Sequence, residues 1–110
     1  MGISTHILDT TRGRPARGVS VRLERLGEAG PAEVARGVTN DDGRVKPLLD
    51  VIPAAGVYRL HFDVQAYFAA LGVEAFYPTV SIDFVVKAAG EHYHVPLLLN
   101  PFGYATYRGS

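Results

Sequence analysis

The feature that most constrains this chain is an apolar period of two. Val19, Val21 and Leu23 alternate with Ser20, Arg22 and Glu24, and Tyr58, Leu60 and Phe62 alternate with Arg59, His61 and Asp63. Val80, Ile82 and Phe84 alternate with Ser81 and Asp83. Successive side chains on a strand point to opposite faces, so each run offers one face to a core and one to water. Val34 and Val38 flank Arg36 in a weaker copy; Ile3–Thr10, Tyr93–Leu99 and Tyr104–Arg108 are further strand candidates. Turn residues separate the runs at Arg12–Pro15, Gly27–Pro31, Asn40–Gly43, Pro53–Gly56 and Ala88–Gly90. Asn40-Asp41-Asp42-Gly43 is the strongest of these, because Asn, Asp and Gly tolerate positive φ. Many short strands with regular turns predict an all-β sandwich or barrel. One segment departs from the pattern. Asp63 can cap a short helix over Val64–Leu71 that Gly72 ends, with Tyr67, Ala70 and Leu71 on its buried face.

Length and charge narrow the rest. The 110 residues suit one domain, 1–110, and 47% are apolar, enough for a core. There is no cysteine, so the fold stands without disulfides and the chemistry without a thiolate. Eleven basic residues balance eleven acidic ones, which removes the usual electrostatic argument for nucleic acid or an anionic membrane. No basic segment leads into an apolar run at the start, and no stretch approaches the roughly 20 apolar residues of a membrane helix. A soluble, cytoplasmic protein is expected.

The sequence limits the chemistry further. No Gly-x-Ser-x-Gly elbow and no glycine-rich phosphate loop are present, leaving four histidines, some arginines and the C-terminal tyrosines. His92 and His94 flank Tyr93, and residues two apart on a strand share a face. Such a pair can bind a metal, offer a general base, or simply be hydrogen-bonded strand histidines. His6 lies in the first strand candidate, where an exposed polar residue is the ordinary reading. His61 alternates with Arg59 and Asp63 and reads as surface. Arg44 follows the Asn40–Gly43 turn; its planar fork of donors can hold a carbonyl-rich or anionic ligand if a pocket receives it.

The C-terminus joins these separate signals. HYHVPLLLNPFGYA, followed by Thr106 and the terminal Tyr107-Arg108-Gly109-Ser110, resembles the signature end of the 5-hydroxyisourate hydrolases, the transthyretin-related enzymes. STHILDTTRGRPARGVSVRLERL resembles their first two strands, TNDDGRV their arginine-bearing turn, and YRLHFDVQAYFAALGVEAFYP their strand, helix and following segment. The resemblance covers essentially the whole chain. It implies a transthyretin-like antiparallel β-sandwich of two sheets with one short helix. The transthyretin carriers share the fold but lack the early histidine and the YRGS end. Asn100 and Ala105 stand where relatives often have serine, and both are expected beside the site.

The resemblance implies a catalytic set of His6, Arg44, His94 and Ser110, with His6, Arg44 and Tyr107 binding substrate, and His92 secondary to His94. It implies a homotetramer, with sites between dimers. The implied reaction opens the six-membered ring of 5-hydroxyisourate to 2-oxo-4-hydroxy-4-carboxy-5-ureidoimidazoline, a step of urate degradation. Water attacks directly, histidine acts as base and arginine assists, without cofactor or metal. Three other readings stay open: a transthyretin-type carrier without turnover, a metal-dependent hydrolase using His92 and His94, and an interaction module without chemistry.

Overall fold

The computed structural model describes residues 2–45, 47–87 and 90–110. Eight strands and one helix follow one another: β1 (Gly2–Asp9), β2 (Arg14–Pro15), β3 (Ser20–Gly27), β4 (Gly30–Val38), β5 (Gly56–Asp63), α1 (Val64–Ala70), β6 (Val80–Val86), β7 (His92–Asn100) and β8 (Gly103–Thr106). They form two four-stranded sheets, ordered β2-β1-β7-β8 and β4-β3-β5-β6. The alternation explains the layering. Val21, Leu23, Tyr58, Leu60, Phe62, Val80 and Ile82 of one sheet bury against Ile3, Ile7, Leu97 and Leu99 of the other. Each such side chain contributes about 1.5–3 kcal/mol by leaving water.

The expected sandwich is present, with one refinement of its antiparallel pairing. β1 and β7 run parallel, Ser4 opposite His94 and His6 opposite Pro96. Alternation fixes faces but not partners, so this pairing of the two ends of the chain was not visible in sequence. Two facial assignments also change. Val34 and Val38 are exposed on the edge strand β4, while Ala35 and Gly37 face inward. Helix α1 buries Val64, Tyr67 and Phe68, not Ala70 and Leu71. The helix ends after two turns, so Leu71 falls at its cap and the buried stripe comes from the i, i+3, i+4 set at its start. Asp63 caps it as expected, accepting from Ala66 N. Of the expected Ala88–Gly90 turn, Ala88 and Ala89 lie outside the described residues, as does Met1.

One polar cluster ties the helix to the sandwich. Asp9 is fully buried; its carboxylate accepts from the Tyr67 hydroxyl at 2.7 Å and from the Thr11 and Arg12 amides at 3.1 Å. Among the described residues no helix is long and apolar enough to cross a membrane.

Candidate active site

The site grows from the outer face of the β2-β1-β7-β8 sheet. Along β1 the odd positions Ile3, Thr5, Ile7 and Asp9 are buried, so Ser4, His6 and Leu8 point outward. Along β7 Tyr93, Val95 and Leu97 are buried, and His92 and His94 point outward. The parallel register sets Ser4 beside His94. The Asn40–Gly43 turn supplies the third element. The Asn40 side chain accepts from the Asp42 and Arg44 amides, and Gly43 adopts φ +73°. A side chain at Gly43 would collide with the Ile7 carbonyl, so only glycine lets this turn lie against β1. Ile7 N donates to Gly43 O at 2.8 Å, and Arg44 pairs with His6 in an isolated bridge. The three predicted residues His6, Arg44 and His94 thus share one face although they are far apart in the chain.

Their electrostatics are coupled. Burial holds the His94 imidazole below the usual histidine pKa, reinforced by the nearby Arg44, His6 and His92 charges and weakly opposed by the Ser4 main chain. This environment favours the neutral form of His94. Its Nδ1 lies 2.7 Å from Ser4 Oγ, and its Nε2 has no hydrogen-bond partner among the described residues. The His6 ring and the Arg44 guanidinium make no hydrogen bond or ion pair to described residues, which leaves their donors and acceptors for a ligand.

The C-terminal tail completes the face. β8 pairs antiparallel with β7, Leu97 opposite Thr106, and the same register resumes where Gly109 pairs with His94. The ladder lapses between them because Pro96 has no N–H to donate. Gly109 N donates to His94 O at 2.8 Å, and a Cβ at Gly109 would overlap the His94 ring. Arg108 stacks on the Tyr93 ring, 4.6 Å from its centroid. Tyr107 falls opposite Pro96, on the side of His94, and is 58% exposed. With His94 it lines a cleft of about 290 Å³ that runs to Phe84 on β6. His6 and Arg44 lie outside that cleft, so a single chain leaves the face open. Ser110 is exposed, and no hydrogen bond or ion pair joins it to an imidazole among the described residues.

Other expected neighbours fall elsewhere. Asn100 sits at the far end of β7, about 20 Å from His94 at strand rise, where its side chain accepts from Phe102 N and shapes the β7–β8 turn. Ala105 pairs with Leu98, also away from the histidines. Neither lies beside His6, Arg44 and His94. His61 belongs to the outer face of the opposite sheet, its Nε2 2.6 Å from Glu24 and its Nδ1 3.1 Å from Ser81. Among the described residues no group of three or more His, Cys, Asp or Glu is placed to hold a metal ion. One site residue escaped the sequence reading. Ser4 Oγ lies 2.7 Å from His94 Nδ1 and 2.8 Å from His92 Nε2. Its two-residue offset from His6 gives its face, but only the parallel register reveals its partners.

Known proteins agree with this architecture. The family described as HIUase/Transthyretin matches residues 3–109. The chain is 49% identical to the 5-hydroxyisourate hydrolase of Halalkalibacterium halodurans over 115 residues, covering 98% of this chain and 97% of that one. The Klebsiella pneumoniae 5-hydroxyisourate hydrolase structure superposes with a TM-score of 0.85 at 43% identity, covering all of both chains. Sea bream transthyretin in complex with thyroxine superposes with a TM-score of 0.89 at 33% identity, over 97% of this chain and 93% of that one. With its two-sheet fold and nearly its whole length matched, the chain belongs to the HIUase/Transthyretin family.

Proposed function

We propose that the protein hydrolyses 5-hydroxyisourate, opening the six-membered ring to 2-oxo-4-hydroxy-4-carboxy-5-ureidoimidazoline. The fold is shared by hydrolases and carriers alike, so the choice rests on the outer face. The observation that carries it is the convergence of His6, Arg44 and His94 on one open face, with side-chain donors and a ring nitrogen that have no partner among the described residues.

Each residue has a part. A base must be unprotonated to take a proton, and His94 is held that way; its free Nε2 removes a proton from water as the oxygen attacks the ring carbonyl. General base catalysis of this kind supplies typically about 100- to 10,000-fold. Arg44 offers fixed donors to the oxyanion that develops, and to the other ring carbonyls. His6 stands beside it and hydrogen-bonds the ring. Tyr107 closes one side, and Ser110 approaches the ligand from the tail. No covalent intermediate is needed, because the electron-poor carbonyl accepts water directly. No metal enters the scheme.

The open face argues for association, and we infer a homotetramer. A site lacking one wall admits bulk water and weakens every electrostatic contact in it; a second copy facing this sheet supplies that wall. Freshly generated 5-hydroxyisourate, followed spectrophotometrically, should disappear far faster with catalytic amounts of protein than without. Stoichiometric binding with the spontaneous decay rate unchanged would favour the carrier reading. Loss of turnover on chelation, restored by zinc, would favour the metal reading.

A further inference from the structure

Ser4 stands between two histidines that the mechanism uses unequally. Its Oγ is within hydrogen-bond distance of His94 Nδ1, 2.7 Å, and His92 Nε2, 2.8 Å. The two rings lie 6.5 Å apart between centroids and 19° from parallel. His94 is half-buried and His92 exposed. A serine hydroxyl has one proton and two lone pairs. It can donate to only one of the two nitrogens, and the other must donate to it. The trio is therefore directional. In one arrangement His94 Nδ1–H donates to Ser4, Ser4 donates to His92 Nε2, and His94 Nε2 is bare. In the other, His92 Nε2–H donates to Ser4, Ser4 donates to His94 Nδ1, and His94 Nε2 carries the proton.

The proposed reaction has a proton to dispose of. Water adds across the ring amide: its oxygen bonds to the carbonyl carbon and the C–N bond breaks. One water proton goes to the departing nitrogen, which becomes part of a ureido group and is too weak a base to take a second. The new carboxylic acid is ionised at neutral pH. Each turnover thus yields one carboxylate and one proton in excess. His94 is half-buried and crowded by Arg44 and His6, so a proton left there is disfavoured.

We infer that Ser4 and His92 form a proton exit from His94 to solvent, with Ser4 as the positioning hydroxyl that keeps His94 Nε2 turned to the substrate. His94 Nε2 receives the excess proton, Nδ1 passes its own to Ser4 Oγ, Ser4 passes its own to His92 Nε2, and His92 Nδ1 releases one to water. The starting tautomer returns by exchange with water in the emptied site. Around the exit, Arg44 and His6 face His94, and Arg108 reaches the His92 carbonyl at 3.4 Å while lying 4.0 Å from Glu91. The inference rests on the hydrolase reading above.

Kinetics of Ser4→Ala, Ser4→Thr, His92→Gln and the Ser4→Ala/His92→Gln double variant test it, at low and at high imidazole buffer and constant ionic strength. Glutamine keeps a hydrogen bond to Ser4 but carries no titrating proton. Ser4→Ala and His92→Gln should each lower kcat about tenfold in dilute buffer with KM within about twofold. The double variant should be no slower than the slower single one. Imidazole should restore His92→Gln, Ser4→Thr should stay near wild type, and circular dichroism should show every variant folded. Wild-type kcat in His92→Gln at all buffer concentrations overturns the exit, as does a loss confined to KM. Wild-type turnover in the same assay keeps two failures apart: none at all overturns the function and the exit together, whereas an active wild type with an equally active His92→Gln overturns the exit alone.

Discussion

At the scale of one residue, the proposed base is His94. Burial and three neighbouring basic groups favour its neutral form. A depressed pKa means that the folded protein binds the proton less readily than the free imidazole does. The acid limb of kcat/KM should accordingly fall below the ordinary histidine value of about 6.5. Arg44→Gln removes one of the cationic influences, so its acid limb should move up toward that value while the overall rate falls. A limb that stays put would separate Arg44 from His94. The same shift bears on stability: as pH drops below about 6.5, the unfolded chain takes a proton there that the folded one resists, and stability declines until the folded His94 also titrates. Gly109→Ala places a methyl group against the His94 ring and should lower kcat more than it lowers Tm. Only the family resemblance singled out His6, Arg44 and His94 together, and the fold sets them on one face. Ser4 was not legible in sequence, because its meaning depends on which strand lies beside it.

At the scale of elements, alternation was a good guide where strands are covered on one face. It identified the core residues of β3, β5 and β6, and the Asp63 cap of α1. It failed on β4, an edge strand, where Val34 and Val38 face solvent and small residues face the core. It could not foresee Asp9 either, an acidic residue at the end of an apolar run that proves fully buried. Asp9→Ala strands the buried Tyr67 hydroxyl and leaves the Thr11 and Arg12 amides without their acceptor, and should cost about 2–4 kcal/mol in urea denaturation. A change below half a kcal/mol would mean that water replaces the carboxylate. The tail is the second element with a sharp expectation. Chain ends usually fray, but this one is pinned by the Gly109–His94 bridge and by Arg108 on Tyr93. Deleting Tyr107–Ser110 should abolish turnover while circular dichroism still reports a folded sandwich. Full activity in the truncated protein would make the tail structural only.

At the scale of the whole molecule, the parallel pairing of β1 with β7 joins the two ends of the chain and assembles the site. The site then lies on an outer sheet face and not in an enclosed cavity. That openness is the physical reason to expect association, and light scattering should report the mass of four chains; a monomer with full activity would mean that no second copy walls the site. The two outer faces also provide the molecule's own control. His94 stands on one sheet and His61 on the other, where it is tied to Glu24 and Ser81 away from His6 and Arg44. The most direct measurement is kcat/KM on 5-hydroxyisourate for His94→Ala and His61→Ala beside the wild type. His94→Ala should lose about 100-fold or more with Tm nearly unchanged, and His61→Ala should stay within about twofold; equal losses in the two variants would contradict the assignment of the reaction to the β1–β7 face.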